Sequence, residues 1–594
     1  MCGLSGEIRF DGERPDLAAV ERMTDRLEAR GPDGKGLWSR GAVALGHRRL
    51  KIIDLSDRAS QPMTDEEAGL TCVFNGCIYN YQELREELRR LGHRFTTTSD
   101  TEVVLRSYRE WGTDFVRHFV GMFAVALTEH ATGRLVLARD RLGIKPLYLA
   151  ERPGRLRFAS TLPALLAAGG VDTSLDPVAV HHYMSWQSTV PAPRTVLAGV
   201  RKLPPATVRV VEPDGTRQDH RYWQPSYTRR AELAGMDAQD WRDAVLAALR
   251  TAVRRRMVAD VPVGVLLSGG LDSSLIVALL AEEGQKDLAT FSVGFDSEGD
   301  EDGDEFFYSD RVAGLFGTDH HQLMVPSDRV STALDGAVAA MSEPMTSHDV
   351  VAFHLLSELV AKEVSVVQSG QGADEVFAGY HWHPAMAEAS REEAPERYAQ
   401  VYSDRPHADL EKILQPGMLT DGDPSREYIR THMAAPGAET ALDAALRTEA
   451  HVMLVDDPVK RVDNMTMDWG LEARVPFLDH ELVELAAACP PGLKLAQGGK
   501  GVLKDVGRTV LPVDIVDRPK GYFPVPAIRR MAPPVLERVR DALSAPAARG
   551  RGLFRDEYVA SLLEAPDDHR TNRGANALWQ VALLEIWLQT HGIG

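Results

Sequence analysis

The sequence predicts two domains of different fold class, a β-rich α+β domain and after it an α/β domain with a parallel, doubly wound sheet. Its 594 residues are too many for one compact core. Short apolar runs separated by Gly, Asp and Asn fill residues 1 to about 160, whereas apolar strands alternate with helices beyond about residue 235. A Pro-rich stretch at 190–205 and a polar one at 212–221 separate the two patterns, so the boundary is expected near 210–235.

The first domain is predicted to combine short strands with a few helices. Apolar or alternating runs predict strands at 42–45, 70–74, 122–127 and 135–138. Helical spacing of apolar residues predicts helices at 16–29 and 81–91. A layered, β-rich structure follows from this pattern.

The second domain is predicted to alternate strands with helices. The predicted elements are a helix at 241–255, a strand at 261–267, a helix at 273–283, and strands at 290–295 and 364–368. Because buried apolar strands alternate with helices, the sheet is expected to be parallel. The charged, Ala-rich segment 381–450 is predicted to be helical and carries no motif.

The composition is that of a cytoplasmic enzyme, and it argues against several other classes of protein. With 67 basic and 86 acidic side chains, the net charge of −19 argues against nucleic-acid binding, which depends on neutralising phosphates. No apolar run approaches the roughly 18 residues that span a bilayer, and the first residues lack the pattern of a signal peptide. The 4 cysteines form neither a disulfide framework nor a Cys-x-x-Cys zinc motif.

Cys2 is the first candidate catalytic residue. If Met1 is removed, Cys2 carries both a thiol and a free α-amine, whose pKa lies near ~8. Such an amine can act as the base for its own thiol. A single cysteine at position 2 is uninformative when it stands alone.

Five further segments indicate how the cysteine at position 2 should be interpreted. They are RGPD at 30–33, GHRRL at 46–50, FNGCIYN at 74–80, TSDTE at 98–102 and ARDRLG at 138–143. In this order, and in register with Cys2, they resemble the class II glutamine amidotransferase domain over about 190 residues.

The resemblance implies roles for individual residues. Cys2 would attack the glutamine side chain, and the Asn75 amide and the Gly76 backbone N–H would receive the oxyanion. Arg49 would pair with the α-carboxylate of glutamine, and Asp100 would hold its α-ammonium group. If Arg49 and Asp100 are considered one at a time, a surface salt bridge is an equally good interpretation of each.

Cys77 departs from this family pattern, which usually has Glu after Asn-Gly. A carboxylate is therefore expected to be missing from the part of the site that binds the α-ammonium group of glutamine. Asp100 is then expected to carry more of that binding. Cys77 has no assigned base, so we do not interpret it as a second nucleophile.

A second constellation begins where the strand at 261–267 leads into SGGLDSS (268–274) and then a helix. A Gly-rich turn between a strand and a helix directs backbone N–H groups at one place and favours anion binding. No Gly-Lys-Ser/Thr follows, so it is not a Walker A loop. It resembles the PP-loop of ATP pyrophosphatases, with a plain turn and helix cap as the alternative. The ATP-binding residues that this resemblance implies are Leu266, Ser268, Gly269, Gly270, Leu271, Asp272, Ser273, Ser274, Val293, Ser369 and Gly370.

A second Gly-rich turn, SGQGADE at 369–375, follows the strand at 364–368. By the same resemblance, Asp272 and Asp374 would hold Mg²⁺, a cation that prefers oxygen ligands. Lys504 would neutralise charge during adenylation; its alternative is a solvated helix lysine.

WGLEARVPFLD (469–479) and RPKGYF (518–523) complete a resemblance of nearly the whole chain to glutamine-hydrolysing asparagine synthetases; only 381–450 and 530–594 are weakly matched. It implies an N-terminal nucleophile fold of αββα layers for 2–215 and a PP-loop ATP pyrophosphatase fold for 236–594. ATP and glutamine would be substrates, Mg²⁺ the cofactor, and a homodimer the assembly. Adenylation of a carboxylate would release pyrophosphate, and ammonia would have to reach the acyl-adenylate through a protected tunnel.

The acceptor is open between alternatives. Asparagine synthetases have Glu where this chain has the uncharged Gln371, and that Glu lies beside the aspartyl-adenylate. Together with Cys77 and the opening segment 2–10, Gln371 resembles the N-acetylglutaminylglutamine amidotransferases, which make an osmoprotectant. The alternatives are asparagine synthesis from aspartate and a regulatory relative without turnover.

Two further features are not expected to bind metals. The acidic segment 296–305 lacks the Glu of a calcium loop. The pairs at 181–182 and 320–321 are adjacent histidines with no third ligand at helical or strand spacing.

Overall fold

The computed structural model describes residues 2–296, 304, 306–519, 521 and 525–594. Most of the acidic segment 296–305 and part of the RPKGYF motif at 518–523 therefore lie outside the described residues. Within them, no helix is both long enough and apolar enough to cross a membrane.

Two antiparallel sheets form the first domain. Their strands are β1 (Gly3–Arg9), β2 (Gly34–Arg40), β3 (Val43–Arg49), β4 (Met63–Asp65), β5 (Leu70–Ile78), β6 (Gly121–Glu129), β7 (Leu135–Arg139), β8 (Tyr148–Arg152), β9 (Arg155–Ala159), β10 (Val200–Lys202), β11 (Thr207–Val211) and β12 (Arg217–Arg221). One sheet has the order β10-β8-β9-β1-β3-β2 and the other β12-β11-β7-β6-β5-β4. Leu4 and Leu45 of the first sheet and Val73 and Leu137 of the second belong to one buried cluster, so the sheets pack face to face.

Helices cover the outer faces of both sheets. They are α1 (Leu17–Arg26), α2 (Tyr81–Arg90), α3 (Asp100–Trp111), α4 (Leu162–Ala167) and α5 (Pro177–Ser185). The helix α1 packs on β1 and β3, and α3 packs on β5. Ser99 caps α3 by accepting a hydrogen bond from the N–H of Glu102, which places Asp100 in the first turn.

A parallel sheet forms the centre of the second domain. Its strands are β13 (Val263–Leu266), β14 (Ala289–Phe295), β15 (Asp319–Val325), β16 (Val366–Gln368) and β17 (Glu472–Arg474), in the order β15-β14-β13-β16-β17. The sequence did not predict β15 or β17. The first alternates polar residues at an exposed edge, and the second has only three residues, two of them charged.

Helices make up most of the rest of this domain. They are α6 (Ala238–Arg255), α7 (Leu271–Glu282), α8 (Phe306–Phe316), α9 (Ser327–Ala340), α10 (Asp349–Val360), α11 (Ala373–Phe377), α12 (His383–Ala387), α13 (Ala394–Tyr402), α14 (His407–Ile413), α15 (Pro424–Ala434), α16 (Ala441–His451), α17 (Lys460–Met467), α18 (His480–Ala488), α19 (Pro491–Leu495), α20 (Gly501–Val510), α21 (Val513–Val516), α22 (Pro526–Arg529), α23 (Pro533–Ser544), α24 (Pro546–Arg551), α25 (Asp556–Glu564) and α26 (Ala577–Thr590). The helical character predicted for 381–450 is confirmed by α12 to α16.

The two domains share a buried interface. One hydrophobic cluster includes Ala19 and Val200 of the first domain together with Leu266 and Trp587 of the second. Buried ion pairs also cross the interface. Asp463 lies 2.8 Å from Arg30 and 3.2 Å from Lys145, and Lys202 lies 2.5 Å from Asp456 and 2.9 Å from Glu343.

Candidate active sites

The first candidate site is a pocket around Cys2, which lies just before β1. Arg49, Gly76 and Asp100 line this pocket, as predicted, and Asn75 adjoins Cys2. Their positions follow from neighbouring elements: β3 ends at Arg49, β5 carries Asn75 and Gly76, and α3 begins at Asp100.

The two predicted oxyanion donors are held beside Cys2. The backbone N–H of Cys2 donates to Asn75 Oδ1 at 3.1 Å, which fixes the orientation of the side-chain amide. Asn75 is fully buried, and its Nδ2 has no hydrogen-bond partner among the described residues. A Cβ at Gly76 would lie 2.1 Å from the carbonyl oxygen of Met122, so only glycine fits. This arrangement leaves a buried N–H donor beside the thiol.

Arg49 and Asp100 are both buried, so the alternative of surface salt bridges is wrong. The Arg49 guanidinium donates to the carbonyl oxygen of Ser56 at 2.8 Å and to that of Asp54. The Asp100 carboxylate accepts a hydrogen bond from the N–H of Ile78 at 3.1 Å. Burial raises the pKa of Asp100 to about 6.

Glu472, which the sequence did not assign to this site, also lines the pocket. It lies on β17 of the second domain, and its Oε1 accepts a hydrogen bond from Arg474 Nε at 2.6 Å. Burial alone would raise the pKa of Glu472, but the amino terminus and Arg474 outweigh burial and lower it to about 2. The pocket therefore contains a second carboxylate besides Asp100, and whether Glu472 takes the place of the Glu expected at position 77 stays a prediction to test. The GLEARVPFLD motif was the only signal for it.

The two thiols of the pocket differ in their surroundings. Burial raises the pKa of Cys2, while the positive charges of the amino terminus and, less strongly, of Arg49 lower it. Cys77 is also buried, its Sγ lies 3.7 Å from Arg474 Nη2, and burial raises its pKa strongly. A thiol in that state is a weak nucleophile, which agrees with the interpretation of Cys77 from sequence.

The second candidate site is a cavity at the carboxyl ends of β13 and β16. Of the residues predicted to bind ATP, metal or acceptor, those that line it are Leu266, Ser268, Asp272, Ser273, Ser369, Gly370, Gln371 and Asp374. The remaining predicted residues, which do not line it, are Gly269, Gly270, Leu271, Ser274 and Val293. Among the residues that sequence reasoning missed are Phe353, Glu375 and Tyr380.

The loop at 268–274 is held closed by its own side chains. Ser273 Oγ lies 3.1 Å from Ser268 Oγ and accepts from the Ser268 N–H at 3.2 Å. Gly269 has φ +71°, and a Cβ there would lie 2.5 Å from the N of Ser309. Glycine is therefore needed at 269 both for its backbone conformation and for the close approach of α8. Gly269 shapes the loop rather than lining the cavity.

Lys500, not Lys504, reaches the two aspartates of the cavity. Lys500 Nζ lies 2.7 Å from Asp272 Oδ2 and 3.0 Å from Asp374 Oδ1. Lys504 Nζ donates instead to the carbonyl oxygen of Gln497 at 2.6 Å, so the prediction for Lys504 is wrong. Lys500 precedes α20 with φ +55°, which turns its side chain away from the helical direction that Lys504 follows.

Asp272 and Asp374 converge on one point, and their carboxylate oxygens are suitable ligands for Mg²⁺. The Lys500 ammonium group lies at that point. A Mg²⁺ ion held by both carboxylates at once would therefore require the Lys500 ammonium group to move away from that point.

Glu375 adds a second titratable group beside Gln371. It is buried, accepts a hydrogen bond from the Tyr380 hydroxyl at 2.7 Å, and lies in the same cavity. Burial, with a smaller contribution from Asp374, raises the pKa of Glu375 to about 7.

Comparison with known proteins agrees with this geometry. Residues 1–223 match the glutamine amidotransferase domain, and residues 244–589, more than half of the chain, match the asparagine synthase family. The chain belongs to the asparagine synthase family. It is a glutamine-dependent carbon–nitrogen ligase of the asparagine synthetase type, and ATP is a substrate of that type of enzyme.

Three relatives show how far the similarity extends. Asparagine synthetase [glutamine-hydrolyzing] 1 of Bacillus subtilis is 30% identical over 99% of this chain and 96% of its own length. Asparagine synthetase [glutamine-hydrolyzing] 3 of the same organism is 31% identical over 88% of this chain and 87% of its own length. Amidase chry2 of Gibberella zeae is 28% identical over 84% of each chain.

Proposed function

We propose that this ligase hydrolyses glutamine at Cys2, adenylates an acceptor carboxylate at the second cavity, and amidates it with the released ammonia. The observation that carries the proposal is the pair of built sites: a thiol beside a buried amide donor, and two aspartates bridged by a lysine. The acceptor we propose is N-acetylglutaminylglutamine.

The strand order supports a PP-loop fold for the second domain. The chain runs outward from β13 in both directions, to β14 and β15 on one side and to β16 and β17 on the other. Ligands of open parallel sheets bind at the carboxyl ends of the strands where the order reverses, and the second cavity lies there.

In the first half-reaction, the α-amine of Cys2, freed by removal of Met1, accepts the thiol proton. The thiolate attacks the side-chain carbonyl of glutamine, and Asn75 Nδ2 and the Gly76 N–H donate to the oxyanion. Arg49 and Asp100 hold the α-carboxylate and α-ammonium groups. The protonated α-amine then gives its proton to the leaving nitrogen, ammonia leaves, and water hydrolyses the thioester to free glutamate and restore the thiol.

In the second half-reaction, the acceptor carboxylate attacks the α-phosphorus of ATP and pyrophosphate leaves. Lys500 stabilises the negative charge on the departing pyrophosphate, and so takes the role of neutralising charge during adenylation that was assigned from sequence to Lys504. Mg²⁺ bound with ATP would be held by Asp272 and Asp374 and would neutralise phosphate charge. Ammonia then attacks the acyl-adenylate and AMP leaves.

Two adjacent strands connect the half-sites. β17 brings Glu472 to the glutamine pocket and pairs with β16, and Ser369 after β16 donates its N–H to the carbonyl oxygen of Arg474 at 2.8 Å. We propose that ammonia passes along these strands, because protonation in bulk water would end its nucleophilicity.

The acceptor proposal depends on Gln371, which lines the cavity where asparagine synthetases have a glutamate. A neutral amide suits an acceptor whose α-nitrogen is acylated and therefore uncharged. Aspartate is the second candidate, favoured by the asparagine synthetases among the relatives and by Glu375, a carboxylate that an α-ammonium group would hold ionised.

The test compares acceptors in the presence of ATP, Mg²⁺ and glutamine, with pyrophosphate release followed and products identified by mass. We expect amidated N-acetylglutaminylglutamine and no asparagine. Gln371→Glu should lower turnover of the dipeptide about tenfold or more, while glutamine hydrolysis without acceptor stays unchanged. Asparagine as the product would overturn the acceptor proposal and leave the ligase assignment in place.

A further inference from the structure

A cluster of metal-ligating side chains lies outside both cavities, where α5 meets the helical segment 381–450. His181 Nε2 lies 2.9 Å from His407 Nδ1 and 3.7 Å from Asp423 Oδ1. One ligand atom from each of the three residues lies within 4.8 Å of the other two. The sequence spacing around His181 offered no third ligand because His407 and Asp423 are more than 200 positions away and come close only on folding.

We infer that His181, His407 and Asp423 form a binding site for a divalent transition metal of the Zn²⁺ class. Imidazole nitrogen and carboxylate oxygen are the ligands that Zn²⁺ takes beside thiolate, and three protein ligands leave one position for water. The site is distinct from the Asp272–Asp374 pair, whose ligands are all oxygen.

The surroundings of His181 orient its ring for this role. Its Nδ1 lies 2.8 Å from Ser425 Oγ and 3.3 Å from Ser185 Oγ, so hydroxyl groups engage one ring nitrogen and Nε2 faces the other two ligands. Metal-ligating histidines donate their second N–H to an acceptor in this way. Ser425 Oγ also lies 2.9 Å from His182 Nδ1, which gives its hydroxyl proton an acceptor.

The ligand atoms need only small movements to reach a coordination geometry. In a tetrahedral zinc site with Zn–N bonds of about 2.05 Å, two ligand atoms lie about 3.3 Å apart. The two histidine nitrogens must separate slightly from 2.9 Å, and the carboxylate must approach from 3.7 Å. His407 is half-exposed at the first position of α14, and Asp423 is half-exposed before α15, so both side chains can adjust.

The ion would fasten one domain to the other, since α5 belongs to the first domain and α14 and α15 to the second. It would therefore act on the stability of the interface rather than on the chemistry of either cavity.

The test titrates ZnCl₂ into the full chain after chelator treatment, by calorimetry and with excess Mg²⁺ present to occupy oxygen sites. We expect one equivalent to bind, with a rise in the thermal unfolding midpoint. His407→Ala should weaken binding at least tenfold and abolish the rise. Asp423→Asn should also weaken binding while keeping the cap of α15, because asparagine caps helices as well as aspartate does.

Two controls separate this site from others. His432→Ala removes a histidine of α15 that stacks on Tyr428 at 4.1 Å and is not part of the cluster, and it should bind Zn²⁺ as the parent does. Cys2→Ala removes the thiol of the first candidate site, which lies outside the cluster, and should also bind Zn²⁺ as the parent does. Equal binding by the parent and His407→Ala, or no stoichiometric binding by the parent, would overturn the inference and leave a hydrogen bond between the two histidines.

Discussion

The pocket around Cys2, the proposed glutamine pocket, and the cavity around Asp272 and Asp374, the proposed ATP cavity, take their side chains from different kinds of element. In the glutamine pocket, Cys2, Arg49 and Asn75 lie at the start of β1, at the end of β3 and within β5. In the ATP cavity, Asp272 and Asp374 lie on the first turns of α7 and α11, and Lys500 precedes α20.

This difference decides how far each site follows from sequence. Strand ladders fix register, so a residue's position along an antiparallel strand determines its neighbours; Gly3 of β1, for example, is paired with Arg48 of β3. Near the start of a helix, the sequence cannot distinguish Lys500 from Lys504 as the lysine that reaches the aspartates, because residues i and i+4 share a helix face. Only the positive φ of Lys500 separates it from Lys504.

The largest expected effect is that of Cys2→Ala, which should abolish use of glutamine and leave use of free ammonia intact. Cys2→Ala should lower glutamine-dependent amidation roughly 10⁴-fold or more, because it removes the thiol that lies beside the buried Asn75 amide. Amidation with added ammonium chloride should remain within about threefold of the parent. Loss of the ammonia-dependent reaction in a folded Cys2→Ala protein would contradict the division of labour between the sites.

A smaller effect tests the lysine correction. Lys500→Ala should lower kcat of ammonia-dependent amidation about 10²–10³-fold, since it removes the cation between Asp272 and Asp374. The matched variant Lys504→Ala should stay within about threefold. Thermal unfolding of both variants checks that they are folded; the reverse ranking of the two activities would restore Lys504 as the functional residue.

The pH dependence of the glutamine pocket gives an effect of about tenfold. Burial raises the pKa of Asp100 to about 6, and the ionised form is needed to hold the α-ammonium of glutamine. The kcat/KM for glutamine hydrolysis should therefore rise about fivefold from pH 5 to pH 6, reach about tenfold by pH 7 and level off above that pH. Asp100→Asn should lack this limb, and a parent profile that is flat down to pH 5 would contradict the role of Asp100.

The linked effect on stability has the opposite sign. The pKa of Asp100 is about 3.9 in the unfolded chain and about 6 in the fold. Protonated Asp100 therefore contributes its full stabilisation below about pH 3.9, and this contribution is lost as the pH rises through about 6. Activity and stability should thus respond to Asp100 in opposite directions.

The smallest effect concerns the second thiol of the pocket. Cys77→Ala should change glutamine hydrolysis by no more than about threefold, because burial keeps the Cys77 thiol protonated and Arg474 retains Glu472 as its partner. Steady-state hydrolysis beside Cys2→Ala measures it. A loss comparable with that of Cys2→Ala would show that Cys77 takes part in catalysis.

Sequence reasoning found the residues that carry local chemistry and missed those that arrive from elsewhere in the chain. Cys2, Asn75 and Asp272 stand in segments whose residue types already point to a thiolate, an oxyanion donor and an anion loop. Glu472 gave no such signal, since its three-residue strand is defined only by pairing with β16. Its burial beside Cys2 depends on how the domains pack, which no local pattern encodes. The homodimer and the domain limits of 2–215 and 236–594 stay predictions.

The buried ion pairs between the domains limit whether one domain can be exchanged for the corresponding domain of a relative. Asp463 depends on Arg30 and Lys145 from the other domain, and Asp456 depends on Lys202. Removing such a partner costs about 3–5 kcal/mol, because the remaining charge stays buried without compensation. A chimera that joins this glutaminase half to the synthetase half of a relative would need both sides of these pairs to match. Recombination between family members is therefore constrained at a few charged positions, even where each catalytic site is intact.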